Sequence, residues 1–255
     1  MKPVHVTGIG VWTPGYASAQ DWVDRRYDPA ATHPPARLLN SRIGRYTSLL
    51  TRMALEVIEQ AANQAGLDPG KPAMVFGSAN GEIQIAIEQL DMIRQEGVPS
   101  PARFKNSVHN TAVGHAAIAT GNMNFSTAIA AGSSTLAMSL LEVWVWLETH
   151  GGDAIVSVAD ERLPPFLENV ANFAPLGVAV ALSADPTPGS SGLRLSALEP
   201  RKDLDNPTLD DRWIENPSAP GLLLADALMR RQEGIVALET GGEGWSVDVQ
   251  VQPEA

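Results

Sequence analysis

The stretch NFSTAIAAGSSTLAMSLLE, Asn124 to Glu142, decides the fold. A short β-branched and aromatic run, Asn124 to Ala130, reads as a strand that enters a turn of small residues. A long amphipathic helix, Ser133 to His150, leaves the turn. Strand, tight turn and helix N-terminus in that order form a nucleophile elbow, which holds one side chain clear of the sheet. The residue at the apex is Ile129, whose side chain has no lone pair, and the chain contains no cysteine.

Outward from the elbow, strands alternate with helices. VHVTGIGV, Val4 to Val11, is a strand whose Gly8 and Gly10 imply a bulge or a close backbone approach. TPG at Thr13 to Gly15 is a turn, and Asp21 to Arg45, rich in Pro, Arg and Asp, runs over the surface. Thr47 to Ala65 is helical, with Leu50, Met53, Ala54, Val57, Ile58 and Ala61 on one face, closed by Gly66 and Pro69. AMVFG, Ala73 to Gly77, is a buried strand that turns at Ser78 to Gly81. Glu82 to Glu96 is a helix with Ile83, Ala86, Ile87, Leu90 and Ile93 expected to face inward. A loop then leads to a small-residue helix, Asn110 to Ala119, whose Ala and Gly content permits close packing.

Past the elbow, Asp153 to Ala159, Val178 to Ser183, Leu193 to Leu198 and Trp245 to Val251 are strands, and Leu222 to Gln232 is a helix. ADPTPGSSG, from Ala184, is the best internal linker, and Asp203 to Pro220 is a polar loop. The alternation predicts an α/β layered fold.

The 255 residues carry 18 basic and 29 acidic side chains, a net charge of −11. No basic run interleaves with aromatics, so nucleic acid is not an expected partner. The absence of cysteine removes disulfides, thiolate metal sites and thiolate catalysis. No apolar run reaches the length of a membrane span, and no signal peptide is read at MKPVHVTGIG, so the expected location is cytoplasmic.

Several side chains invite a chemical reading. Ser133 and Ser134 at the helix start could be nucleophiles, although serine there usually caps orphan backbone N–H groups and GSS lacks the G-x-S-x-G pattern. His109 and His115, six apart, do not share a helical face as a metal pair would. TGIG lacks the third glycine of a nucleotide loop. Trp144 and Trp146 suit the core or a covered surface.

VHVTGIGVWTPG resembles the opening strand and turn of the β-ketoacyl-acyl-carrier-protein synthases, and residues 106 to 161 resemble their central run. The family's S-T-A-C-A-x-G lies over Ser126 to Gly132, which sets its nucleophilic cysteine at Ile129, and its AGGAE-like strand end lies over Ser157 to Glu161. Asn110, Gly114 and His115 have counterparts just before the catalytic strand. The match covers about residues 4 to 183, and GGEGWSVDVQV faintly resembles the family's last turn and strand.

The resemblance implies a thiolase-like layered α-β-α fold: an N-terminal half at 1–183 and a strongly reduced C-terminal remnant, 184–255, packed on the same domain. It implies no cofactor and no metal. The family's catalytic histidines lie in the half that is mostly absent, and no histidine follows His150. A chain of this kind resembles the non-catalytic chain-length-factor-like subunit of aryl polyene and type II polyketide synthesis, which forms a heterodimer with a catalytic synthase. Acyl carrier protein, itself acidic, would then approach through the partner. Val98, Pro99, Phe104 and Val108 are the expected contacts with the partner's growing chain, and Asn110, Gly114, His115, Phe125 and Ile129 complete the expected interface. Two alternatives use the same residues differently: a serine-dependent acyltransferase or hydrolase acting through Ser133 or Ser134, and a stand-alone acyl-binding scaffold.

Overall fold

The structure, a computed structural model, describes residues 1–39, 44, 47–185, 192–202, 209–240 and 243–252. Its strands are β1 (Val4–Trp12), β2 (Ala73–Gly77), β3 (Ser126–Ile129), β4 (Asp153–Asp160), β5 (Leu176–Ser183), β6 (Leu193–Lys202), β7 (Gly234–Ala237) and β8 (Glu243–Val251). The α-helices are α1 (Ala19–Val23), α2 (Leu49–Ala65), α3 (Ile83–Glu96), α4 (Pro101–Phe104), α5 (Thr111–Thr120), α6 (Thr135–His150) and α7 (Pro220–Met229). The strands form one sheet in the order β3–β2–β4–β5–β1–β6–β8–β7. β2 runs parallel to β3 and β4, and the other pairs are antiparallel.

Alternation along the central strands makes two cores. Val156 and Val158 of β4 and Val178, Val180 and Leu182 of β5 meet Leu136, Leu140, Val143 and Trp144 of α6 together with Leu222, Leu224 and Leu228 of α7. Ile155 and Ala159 of β4 and Ala179 and Ala181 of β5 point the other way, to α2 and α5. The result is the expected layered α-β-α fold. β6, β8 and β7 extend the same sheet beyond β1.

The α2 layer depends on glycine in β1. A Cβ on Gly8 would lie 2.1 Å from the Ala61 carbonyl oxygen, and one on Gly10 would lie 2.2 Å from that of Val57. The register of β1 also shifts between Val6 and Gly8, so the glycine pair marks both a bulge and a close approach. β1 pairs with β6 through Val4 and His5. Further along β1, α2 serves the backbone: Gln64 Oε1 accepts from the Ile9 N–H at 2.7 Å and Gln60 Oε1 from that of Val11 at 3.1 Å. Ser48 caps α2 by accepting from the Thr51 N–H, and Gly66 ends it in the left-handed conformation.

Several elements depart from the sequence reading. α1 overlaps the start of the segment expected to wander, and the Ser18 side chain caps it. β7 was not expected, and β6 runs on to Lys202. α7 starts at Pro220, where the ring's fixed φ suits a first turn, and ends at Met229. α6 starts at Thr135, after a 3₁₀ turn at Gly132–Ser134. The largest correction concerns α3. Its apolar stripe exists, but α3 packs chiefly on α4 and its one buried residue is Gln89. Ile83, Ala86 and Ile87 are half-buried, while Leu90 and Ile93 are 60% and 42% exposed. Most of the expected linker (186–191) and the start of the polar loop (203–208) lie outside the described residues. Among the described residues no helix is long and apolar enough to cross a membrane.

Gly10→Ala should therefore cost about 3 kcal/mol through backbone overlap, or about 6–12 °C in unfolding midpoint. Gly66→Ala, where a Cβ meets nothing within 4 Å, should cost only the left-handed backbone penalty of about 1–2 kcal/mol. Equal midpoints for the two variants would show that α2 does not seat on β1 as described.

Candidate functional site

The parallel strands β3, β2 and β4 end on one side of the sheet, the side where open α/β sheets place their ligands. Ile129 closes β3 half-buried against the α6-side core, and its carbonyl accepts from the Ser78 N–H at 3.1 Å. The chain turns at Gly132, φ +57°, into the 3₁₀ turn and then α6. Thr135 Oγ1 accepts from the Ala131 N–H at 3.1 Å and donates to the Gly132 carbonyl at 2.7 Å.

The elbow serines do not cap the helix. Ser134 occupies the N-cap position without a side-chain capping bond. Both hydroxyls donate instead to the buried Glu239 carboxylate: Ser134 to Oε1 at 2.8 Å and Ser133 to Oε2 at 3.2 Å. The Trp245 N–H adds a third bond, at 3.3 Å. A carboxylate beside the start of α6 also gains from the helix dipole. Beside this cluster is a cleft of about 320 Å³, lined by Asn80, Gly132, Ser133, Ile214, Asn216 and Pro220 among others.

A second cluster joins the ends of β2 and β4. Asp160 is fully buried. Its Oδ1 accepts from Ser78 Oγ at 2.8 Å and from the Asn80 N–H at 3.0 Å, while Oδ2 accepts from Ser218 Oγ at 2.8 Å. Asn216 Nδ2 donates to the Asp160 carbonyl at 3.2 Å and to that of Ala174 at 2.8 Å. Burial raises the Asp160 carboxyl above the usual range, against the pull of these donors.

Glu161 and Glu82 lie beside it, both buried. Burial, then the Glu82 and Asp160 charges, push Glu161 up to about 8, and its Oε1 has no hydrogen-bond partner among the described residues. Glu82 Oε1 accepts from Thr51 Oγ1 at 2.7 Å and Ser48 Oγ at 2.9 Å, while burial raises its carboxyl too. These carboxyls and Glu239 were not expected from sequence. The adjacent Asp160–Glu161 pair directly after an apolar strand was the one local signal. Among the described residues no group of three or more acidic or histidine side chains is placed to hold a metal.

The histidines are separate. His109 Nε2 lies 2.8 Å from the Ser78 carbonyl, which can only accept, so that nitrogen carries the proton. His115 Nε2 lies 3.4 Å from Asn106 Oδ1, and burial, then Lys105, lower its pKa. Neither makes a hydrogen bond to an elbow serine among the described contacts.

The other expected positions lie on α4, α5 and β3 and the loops around them, and they are exposed or half-buried. Val98, Phe104 and Val108 are 61%, 56% and 41% exposed, with Pro99 half-buried between them. On α5, Asn110 is exposed and nothing lies within 4 Å of a Cβ on Gly114, while Ile118 is 68% exposed. Phe125 stacks on Trp146 with ring centroids 6.3 Å apart, and Trp146 stacks on His150 at 5.0 Å. Trp144 is core, its Nε1 donating to the Lys2 carbonyl at 2.6 Å.

The family model described as the β-ketoacyl synthase N-terminal domain matches residues 19–246. The chain belongs to that family. No curated protein sequence matches it. Among solved structures, one similar chain comes from the ketosynthase ApeO in complex with its chain length factor ApeC from Xenorhabdus doucetiae, with TM-score 0.73 at 20% identity over 98% of this chain and 100% of that one. A chain of the ishigamide ketosynthase/chain length factor has TM-score 0.65 at 16% identity, over 81% of this chain and 69% of that one. A chain of AntDE:AntF, a type II polyketide acyl-carrier protein in complex with its hexaketide-bound ketosynthase, has TM-score 0.72 at 11% identity, over 98% and 99%. At these identities the likeness establishes the thiolase-like ketosynthase fold.

Within this β-ketoacyl synthase-family site, Glu161 makes stability depend on pH. The unfolded carboxyl titrates near 4.5 and the folded one near 8. The folded state therefore keeps a proton that the unfolded chain releases across that interval. The contribution is fully present below pH 4.5, is lost as pH rises toward 8, and is constant above. The thermal midpoint of the wild type should fall relative to Glu161→Gln between those limits. Parallel pH profiles for the two proteins would rule out the buried, protonated carboxyl.

Proposed function

We propose that this chain is a non-catalytic, chain-length-factor-like subunit that forms a heterodimer with a catalytic β-ketoacyl synthase in the cytoplasm and shapes its acyl or polyene elongation tunnel. The observation that carries this reading is a set of bare apolar side chains on α3, α4, α5 and the loops that join and follow them. Leu90, Val98, Phe104, Ile118 and Met123 are each more than half exposed there, Met123 at 95%. Large apolar side chains left bare in this number within one stretch of chain, residues 90–123, suit a surface that another protein covers. Interfaces of permanent complexes bury on the order of 2,000–5,000 Å² and are strongly apolar.

The elbow supports the same reading. Decarboxylative condensation needs a nucleophile to carry the acyl group and donors to stabilise the developing charge. Ile129 supplies no nucleophile, and the serine hydroxyls are committed to Glu239. In this reading residues 1–183 keep the family's first half and 184–255 are a reduced remnant of the second. Val98, Pro99, Phe104 and Val108 wall the partner's tunnel, while Asn110, Gly114, His115, Phe125 and Ile129 belong to the interface. Acyl carrier protein docks on the synthase.

One observation favours a second reading: Ser134 Oγ lies 2.8 Å from a carboxylate that could act as its base. The two separate in one experiment, co-expression with a full-length ketosynthase followed by size exclusion and an elongation assay with carrier-bound malonyl units. A heterodimeric role predicts co-elution, elongation that needs both chains, and full activity in Ser133→Ala and Ser134→Ala. Ile118→Asp should weaken the complex by about a hundredfold or more, because it buries an unpaired charge, and Phe104→Ala should change product length. Separate elution, with thioester turnover by this chain alone that Ser134→Ala abolishes, would reject the heterodimeric role.

A further inference from the structure

Helix α3 is held to the rest of the molecule by its first turn. Its chief neighbour is α4, to which the Ser100 N–H, donating to Gln89 Oε1 at 3.0 Å, and the Arg103–Glu88 ion pair tie it. Its polar ties to the sheet and to α2 gather instead at the N-terminus. Glu82 Oε1 accepts from the Thr51 and Ser48 hydroxyls, which binds the start of α3 to the start of α2. Gln84 Nε2 donates to the Arg162 carbonyl at 2.7 Å, and the Gln84 N–H bonds to the Glu161 carboxyl. Left-handed glycines bracket the helix, Gly81 at φ +56° and Gly97 at φ +78°.

Two buried oxygens at this turn have no hydrogen-bond partner among the described residues: Glu82 Oε2 and Glu161 Oε1. Their side chains are only 3% and 5% exposed. An ionised carboxylate can only accept, so two of them side by side leave each other unsatisfied. One proton changes that, because a protonated carboxyl donates and its neighbour accepts. The charges that act on Glu161 are all acidic: Glu82 and Glu88 from α3, and Asp160 beside it on β4. From the turn after β2, Ser78 and the Asn80 N–H are committed to Asp160, and His109 to the Ser78 carbonyl. α2 offers Glu82 hydroxyls and no charge, and Arg162 is exposed. Burial raises both carboxyls, Glu161 to about 8, so at neutral pH the pair keeps a proton between them. The single remaining negative charge sits at the start of α3, where the helix dipole favours it.

We propose that Glu82 and Glu161 share one proton that latches the first turn of α3 to the end of β4, and that its loss to solvent releases α3 and α4 together. With the proton in place, the O–H of one carboxyl satisfies the free oxygen of the other. Without it, two buried anions face each other with no donor between them, and the turn at Gly81 yields. The folded value of Glu161 lies above its ordinary one, so the latch is closed below about pH 8 and opens as pH rises through it. The released unit carries Leu90 and Phe104, with Val98 in the loop between the helices. The latch therefore regulates the surface assigned above to a synthase partner. That consequence rests on the heterodimeric reading; the latch itself does not.

The test is amide hydrogen exchange of the full chain, without a partner, at pH about 6.5 and about 9.5, corrected for intrinsic exchange rates. Opening coupled to the release of one proton grows by up to about tenfold per pH unit above the midpoint. The amides of α3 should therefore lose protection by about tenfold or more at the higher pH, while those of β4 and β5 keep theirs. Glu161→Gln gives Glu82 an amide donor, and Glu82→Gln removes the second charge. Both variants should keep α3 protected at either pH. Equal protection of α3 at the two pH values in the wild type would overturn the proposal. So would a loss at high pH that both variants retain. Affinity for a full-length ketosynthase in the same two buffers is a separate reading. Exchange as expected with unchanged affinity would uphold the latch and reject the assignment of α3 and α4 to the partner.

Discussion

The Asp160 carboxyl holds together the part of this molecule on which everything else is arranged. It sits at the end of β4 with no solvent contact and gathers Ser78 and the Asn80 backbone from the turn after β2 and Ser218 from a second, distant stretch of chain. A buried charge left without donors would be strongly unfavourable. These loops are therefore fixed by the need to satisfy it. Ser78 in turn accepts from the Gly81 N–H, donates its own N–H to Ile129, and presents its carbonyl to His109. The elbow, the turn after β2 and the approach to α5 are tied to one side chain.

From that anchor the molecule divides. The two faces of the sheet are filled by α2 and α5 on one side and α6, α7 and α1 on the other, and both layers are closed. The helices after β2 are different. α3 leaves Leu90 and Ile93 of its apolar stripe uncovered, and α5 exposes Ile118 and leaves open space over Gly114. The elbow retains its strand, glycine turn and helix, yet carries an isoleucine at its tip and a carboxylate on its serines. This combination is coherent if selection acts on the fold and its outer surface, with the chemistry left to another subunit.

Local rules made much of this legible in the sequence. The glycines of β1 announced a close approach, and α2 could be bounded within two residues because Gly66 supplies a left-handed stop and the apolar stripe is unbroken. β4 and β5 were visible as largely apolar runs. What escaped was non-local. The period of α3 identified a stripe correctly but could not say whether this chain covers it. The rule that serine caps a helix put Ser133 and Ser134 at the right place and with the wrong partner, because Glu239 arrives from more than a hundred residues away. β7 is four residues long and begins with glycine, too short for any alternation to register. The Glu82, Asp160 and Glu161 cluster exists only once β2 and β4 are adjacent.

The surface at β3 offers the most direct test of the account. Amide hydrogen exchange of the full chain, alone and with a saturating ketosynthase partner, reads the outer edge of Ser126–Ile129 and the outward face of α5 residue by residue. The account predicts that these amides slow by about tenfold or more on complex formation, while those of β6 and β8 are unchanged. A complex that forms with no added protection at β3 and α5 would contradict it, and would move the subunit contact elsewhere on the molecule.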